Sequence, residues 1–200
     1  MKSRLSNFRT GALLLAACAL TACLGGRSPS AQFYNLSATE TTSGVSVADK
    51  GPAISVGPVV FPKSLRRHQV VIRTGPNSVE LDEFHRWAGS LESDFLNVLG
   101  ANLGALLDTQ RVAVYPAEAE FPVDYRVNLQ VDRFDGTPGG TLVLNVYWTI
   151  RGDGAAGAAA VGHSVIDEPV ADDSVEALIR AHDAAIGKLS NEIADRIKSL

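Results

Sequence analysis

Cysteine is almost missing from this 200-residue chain, which has only Cys18 and Cys23. Cys18 lies inside an apolar N-terminal run and Cys23 just after it, so no pair is left to bridge the remainder, and the fold has to rest on its core. The 177 residues that follow Cys23 are enough to bury such a core in a single domain. Positive charge is also in short supply, with 18 Lys and Arg against 22 Asp and Glu. Loss of Lys2, Arg4 and Arg9 with a leader would take the net charge from −4 to about −7, which excludes the basic face that a nucleic-acid binder needs. Long apolar runs are lacking too. Residues 11–22 give about a dozen apolar or small residues, where a membrane-spanning helix needs roughly 20.

The usual marks of catalysis are equally scarce. His68, His85, His163 and His182 do not stand in metal-ligand spacing with one another or with Cys23. No G-x-x-x-x-G-K-[ST] phosphate loop occurs. Gly162, His163 and Ser164 are followed by Val165 and Ile166, which breaks a nucleophile elbow and disfavours an envelope hydrolase. The expectation is a chain with no catalytic residue, no bound metal and no cofactor.

What is present begins at the N-terminus. The basic opening MKSRLSNFR and the apolar run GALLLAACAL have the layout of a secretion signal. Leu20, Thr21, Ala22 and Cys23 resemble the bacterial lipobox, whose cysteine is acylated before cleavage. Residues 1–22 are thus expected to be a lipoprotein signal peptide, and Cys23 the lipidation site, bearing a covalent diacylglycerol and an N-acyl chain. Two or more chains give stable anchoring, since each buried methylene adds about 0.8 kcal/mol. Leu24, rather than Asp, follows the cysteine, as in lipoproteins sent to the outer membrane. Residues 23–32 then form a flexible tether; nine extended residues reach about 30 Å.

The folded body is expected over residues 33–200. FYNL at 33–36 reads as a first strand and 37–51 as a surface loop. PAISVGPVVFP, with three prolines, suits an edge strand. Residues 70–74 and 78–81, around Gly75, Pro76 and Asn77, suggest a hairpin. A helix is expected from Asp82 or Glu83, with the stripe Phe84, Trp87, Leu91, Phe95, Val98, Leu99, Leu103 and Leu106. Gly100 and Gly104 on it point to close packing against a sheet. RVAVYP at 111–116 reads as a short strand. DYRVNLQVDRF and TLVLNVYWTIR alternate apolar and polar residues about the turn DGTPGG, as in an antiparallel hairpin with one buried face. Residues 154–166 suggest a weak edge strand. A last helix begins near 172–174, where Asp173 and Glu176 have capping-box spacing. Its stripe is Val175, Leu178, Ile179, Ala185, Ile186, Leu189, Ile193 and Ile197, with His182 near it as a partly buried residue. Together these make an α+β fold, a two-layer sandwich of a mostly antiparallel sheet with two amphipathic helices.

ISVGPVVFP, LRRHQVVIRTGPNSVELDEFHRWAGSLESDF, LGANLGALL and AHDAAIGKLSNEIADRI together resemble the PqiC (YmbA) family of transport auxiliary lipoproteins. The most specific part comprises residues 56–59, 73–77 and 86–87. The resemblance implies a non-enzymatic, periplasm-facing lipoprotein at the outer membrane. Its partners would be an MCE-domain transport protein and an inner-membrane component, together moving phospholipid between membranes. It also allows a homo-oligomer, and it implies that Arg86 makes an ion pair or a hydrogen bond to the neighbouring strand. The rival is a structural lipoprotein that stabilises an outer-membrane β-barrel.

One cluster stands out in the acidic body: Lys63, Arg66, Arg67, His68 and Arg73 could meet anionic headgroups or an acidic partner. Whether the body is membrane-bound at all rests on Cys23. The variant Cys23→Ser is expected to move the protein from the membrane to the soluble fraction; unchanged membrane fractionation would refute lipidation.

Overall fold

Strand patterning and two amphipathic helical stripes generate the architecture. In the computed structural model, which describes residues 30–40, 51–152 and 159–200, the elements run in this order: β1 (Gln32–Tyr34), β2 (Ile54–Val60), β3 (Gln69–Gly75), β4 (Ser78–Trp87), α1 (Leu91–Leu106), β5 (Val112–Val114), β6 (Tyr125–Gly136), β7 (Thr141–Gly152), β8 (Ala159–Pro169) and α2 (Val175–Lys198). The leader, Cys23, residues 24–29 of the tether, residues 41–50 of the surface loop and residues 153–158 lie outside the described residues.

All eight strands join one sheet. The long ladders are antiparallel: β6 with β7, β7 with β8, and β3 with β4. Shorter parallel contacts attach β1 to β4, β5 to β2, and both β2 and β3 to β6. Strand β6 meets β2 along Tyr125 to Gln130 and β3 only at Gly136, so the sheet forks along that edge.

Both helices pack on one face of the sheet, α1 over β2 and β5 and α2 over β8, β7 and part of β6, with the buried positions of β6 and β7 at the centre of the core. Val127, Leu129, Val131 and Phe134 of β6 and Leu142, Leu144, Val146 and Ile150 of β7 are all under 5% exposed. Opposite them come Phe95, Leu99 and Leu103 of α1 and Leu178, Ile186, Leu189 and Ile193 of α2. At the centre, Phe134 lies edge-on to Phe95, with centroids 5.5 Å apart, and to His182 at 4.5 Å; Trp87 contacts His182 at 5.5 Å. These are the preferred geometries of aromatic pairs. Gly100 and Gly104 lie against β5: a Cβ on Gly100 would sit 2.7 Å from Val114 Cγ2 and one on Gly104 3.3 Å from Val112 Cγ2. Their spacing serves helix-to-sheet packing, as expected.

Three boundaries differ from the sequence reading. The helix does not start at Asp82. Strand β4 continues to Trp87, and Phe84 is 44% exposed on it. Opposite β3, the pairing jumps from Asp82 to Arg86, so residues 83–85 bulge out, and Asp82 Oδ1 accepts the N–H groups of Phe84 (2.8 Å) and His85 (3.0 Å). The acidic residue that looked like a helix cap closes this bulge instead. Trp87 is buried, but from the strand. Ser90 then caps α1 and Ser174 caps α2, its Oγ accepting from Ala177 N at 3.1 Å. Strand β2 is interior, between β5 and β6, not at an edge. Its one proline is tolerated because Pro58 falls in the pairing irregularity between Val56 and Val59, where Gly57 has φ +103°. Finally, β8 is an edge strand, yet its described residues form an unbroken eleven-residue ladder with β7 rather than a weak one.

His182 is only 2% exposed, not partly buried. Its Nδ1–H donates to Leu178 O at 2.8 Å, and burial pushes its pKa down to about 4, outweighing hydrogen bonds to the backbone of Leu178 and Phe134 and the charge of Asp135. A folded pKa below the unfolded value of about 6.5 means that the unfolded chain takes up more protons in between. Stability is therefore expected to fall as pH drops from 6.5 towards 4. In urea unfolding, His182→Gln should flatten that acid limb relative to the parent; an equal slope in both proteins would disprove it.

Candidate functional site

The basic cluster sits mainly on the connection between β2 and β3. Phe61 and Leu65, 2% and 3% exposed, peg this loop into the core. Between and after these pegs the backbone turns tightly, Leu65 N donating to Pro62 O (3.0 Å) and Arg67 N to Leu65 O (3.0 Å). The turn leaves Lys63, Arg66 and His68 exposed and Arg67 half-buried. Arg67 Nε donates to Ser64 O at 2.6 Å, and Arg66 Nε pairs with Glu92 at 3.0 Å. With both partners solvent-accessible, that pair contributes about 0–1 kcal/mol and can be exchanged for an external anion at little cost. A cleft of about 240 Å³ separates the loop from the first turn of α1, lined by Leu65, Arg66, Arg67, His68, Ser90 and Leu91 among others.

Arg73 does not share this loop. It lies on β3, where Nε and Nη2 donate to the two carboxylate oxygens of Asp135 at 2.7 and 2.8 Å, while Arg133 Nε donates to Asp135 Oδ1 at 3.0 Å. Burial alone would raise the Asp135 pKa, but the hydrogen bonds and charges of the two arginines outweigh it and hold the carboxyl below its ordinary value. The bidentate pair ties β3 to the far end of β6, where the backbone contact is limited to Ile72 and Gly136. Arg86 resolves to an ion pair, Nη2 to Glu83 at 2.9 Å, across the β4 bulge.

A second feature, not evident in the sequence, is how the N-terminal segment is fastened. Residues 34–40 run from the end of β1 over both helices as a strap held by side chains. Asp183 Oδ1 accepts from Ser37 N at 2.9 Å, and Asn102 Oδ1 accepts from Thr39 N and Glu40 N, each at 3.1 Å. Asp94 accepts from the backbone of Leu36, which is itself buried. At the other end Tyr34 Oη donates to Glu176 at 2.8 Å, and its ring stacks on His85. Asn102, wholly buried, also donates to Ser190 Oγ at 3.2 Å and so links α1 to α2. A polar residue amid the apolar stripe of α1 was the one signal that could have revealed this.

The remaining candidates are built into the sheet. Ser164 Oγ accepts from Trp148 Nε1 at 2.9 Å and donates to Glu192, facing the helices. His163, its neighbour, projects to the opposite face and stacks on Tyr147. Among the described residues no group of three His, Cys, Asp or Glu side chains is placed to hold a metal ion, and no helix is long and apolar enough to cross a membrane.

A family model described as the ABC-type transport auxiliary lipoprotein component matches residues 34–194. The chain belongs to this family. These auxiliary lipoproteins are transport components, not an enzyme family. The fold is shared with a crystal structure described only as an uncharacterized protein: 20% identity, TM-score 0.67, covering 84% of this chain and 99% of that one. It is also shared with protein XCC0632 from Xanthomonas campestris, at 14% identity and TM-score 0.61, covering 82% and 93%. No curated protein matches the sequence.

The strap carries a pH signature of opposite sign to that of His182. Burial raises the Asp183 pKa to about 6 despite the Ser37 N–H, so its charged form is disfavoured in the folded state. The stability it confers is present below the unfolded pKa of 3.8 and lost as pH rises through 6. Relative to the parent, Asp183→Asn is expected to gain most stability at pH 7.5, an intermediate amount at pH 5 and little at pH 3.5, read from urea unfolding midpoints at the three pH values.

Proposed function

We propose that the protein is the membrane-anchored accessory lipoprotein of an MCE-type intermembrane phospholipid transport system. In this reading residues 1–22 are removed, acylated Cys23 holds the chain to the periplasmic face of the outer membrane, and residues 33–200 dock the transport conduit there. An inner-membrane component and an MCE-domain protein are its partners. The observation that carries the reading is the strap. A lipid anchor is useful to a docking subunit only if its position is transmitted to the folded body, and residues 34–40 are fixed to α1, α2 and β4 by side chains on each. The tether beyond Ser30 can then stay short and polar.

The docking surface in this proposal is the exposed loop of Lys63, Arg66 and Arg67, whose charges suit anionic headgroups or an acidic partner face. Arg73 contributes by holding β3 to β6 through Asp135, and its guanidinium is committed there. Family membership supports a transport context, and the shallow cleft beside the loop favours docking over carriage of a whole lipid inside this chain.

Crosslinking in intact envelopes followed by identification of the captured chains tests the proposal. Recovery of an MCE-domain protein is the expected result; recovery of a β-barrel would favour the assembly role instead. Arg66→Glu with Arg67→Glu should reduce the captured partner, or association with anionic liposomes, by about tenfold, the equivalent of losing roughly 1 kcal/mol or slightly less per charge. Full retention of both would eliminate the loop as the contact.

A further inference from the structure

Among the described residues the sheet has three outer strands: β1 and β5 have three residues each, whereas β8 has eleven and is paired along one edge, with β7. Long edge strands are normally blunted by lysine, by proline, by a bulge or by a covering element, because their free N–H and C=O groups recruit other strands. Strand β8 has none of the first three before its terminal Pro169: its ladder with β7 is unbroken and it contains no lysine. Ala160, Ser164 and Ile166 are buried, facing the helices. The opposite face carries Val161 and Val165, exposed to 76% and 57%, on either side of His163.

We infer that β8 is a self-complementary edge that pairs antiparallel with β8 of a second copy, about a two-fold axis at His163. That register sets Val161 of each copy directly opposite Val165 of the other, on one face, so the two most exposed valines of the edge bury each other. It sets Asp167 opposite Ala159, the residue paired with Arg151 on β7. Arg151 and Asp167 are exposed and have no ion-pair partner among the described residues, and the pairing brings opposite charges into the same cross-strand row twice, once on each side of the axis. At the axis the two His163 rings have room, because each is held back over its own β7, stacked on Tyr147 at 4.1 Å and bonded through Nε2 to Asn145 Oδ1 at 2.8 Å. A register centred on Ser164 instead would place Val161 against Asp167. The occupant is therefore a second copy, in a closed, isologous contact. Edge pairing of this length falls below the roughly 1,000 Å² of a tight interface, so the contact is weak in free solution and favoured where copies are confined together.

The inference does not rest on the transport reading. Residues directly opposite in an antiparallel pair have Cα atoms about 4.5–5.5 Å apart, within disulfide range. In the full chain carrying Cys18→Ser and Cys23→Ser, purified in detergent, His163→Cys is expected to form a disulfide-linked dimer under mild oxidation. Val161→Cys and Val165→Cys should each stay monomeric alone and crosslink when mixed. Adding Val165→Lys to His163→Cys should abolish the crosslink while leaving the circular dichroism unchanged, since that position is on the solvent face. Efficient self-crosslinking of Val161→Cys, or an oligomer indifferent to Val165→Lys, would overturn the inference, and so would failure of His163→Cys to crosslink at millimolar protein. Capture or loss of an MCE-domain partner in envelopes bears on the transport reading alone.

Discussion

Strand β6 imposes the constraint on which the rest depends: twelve residues whose backbone groups need partners along both edges while alternate side chains enter the core. One edge is satisfied by β7 through almost its whole length. The other cannot be matched by a single strand, because β2 ends at Gln130 and β3 joins only at Gly136. The gap between them is bridged by side chains. Asp135 receives Arg73 from β3, and Phe134, one residue earlier, enters the aromatic cluster of Phe95 and His182. Removing one partner of such a buried ion pair costs about 3 kcal/mol or more, so the fork in the sheet is stable only while these contacts persist.

The two helices cover one face of this sheet, and the polar groups trapped between them organise the N-terminal segment. Asn102 satisfies two backbone N–H groups of the strap and the hydroxyl of Ser190 at once, while Ser190 in turn donates to Ile186 O at 2.7 Å. Gly187 allows the close approach, since a Cβ there would collide with Thr39 Oγ1. Asp94 and Asp183 do their work at a cost: burial raises both pKa values, and Asp94 Oδ2 has no hydrogen-bond partner among the described residues. Both carboxylates accept from backbone N–H groups of the segment leading towards Cys23 and so fix it to the helices.

Much of this was legible from periodicity. The β6–β7 hairpin alternates apolar and polar residues and the α2 stripe steps by three and four, because each element buries one face against a single layer. Legibility failed where local chemistry imitates another element. Phe84, Trp87 and Leu91 have helical spacing, yet the first two lie on a bulged strand, and the carboxylate of Asp82 caps that bulge much as it would cap a helix. Pro58 reads as an edge marker, but an irregularity at Gly57 lets an interior strand omit the missing donor. Arg73 looked like one more exposed cation of its cluster because Asp135, its partner, is 62 positions away in the chain. The strap contacts were hidden for the same reason: Asp183 and Asn102 look like ordinary polar helix residues until the segment they hold is in place.

The position of β1 has a mechanical meaning. It is the first strand of the described body, and it occupies the opposite margin of the sheet from β8, with β4, β3, β6 and β7 between them. At about 4.8 Å per strand spacing, the two margins are separated by roughly 24 Å measured along the sheet. Whatever engages the β8 side is thereby held a sheet's width away from the point where the chain enters the sheet, a spacing fixed by strand count.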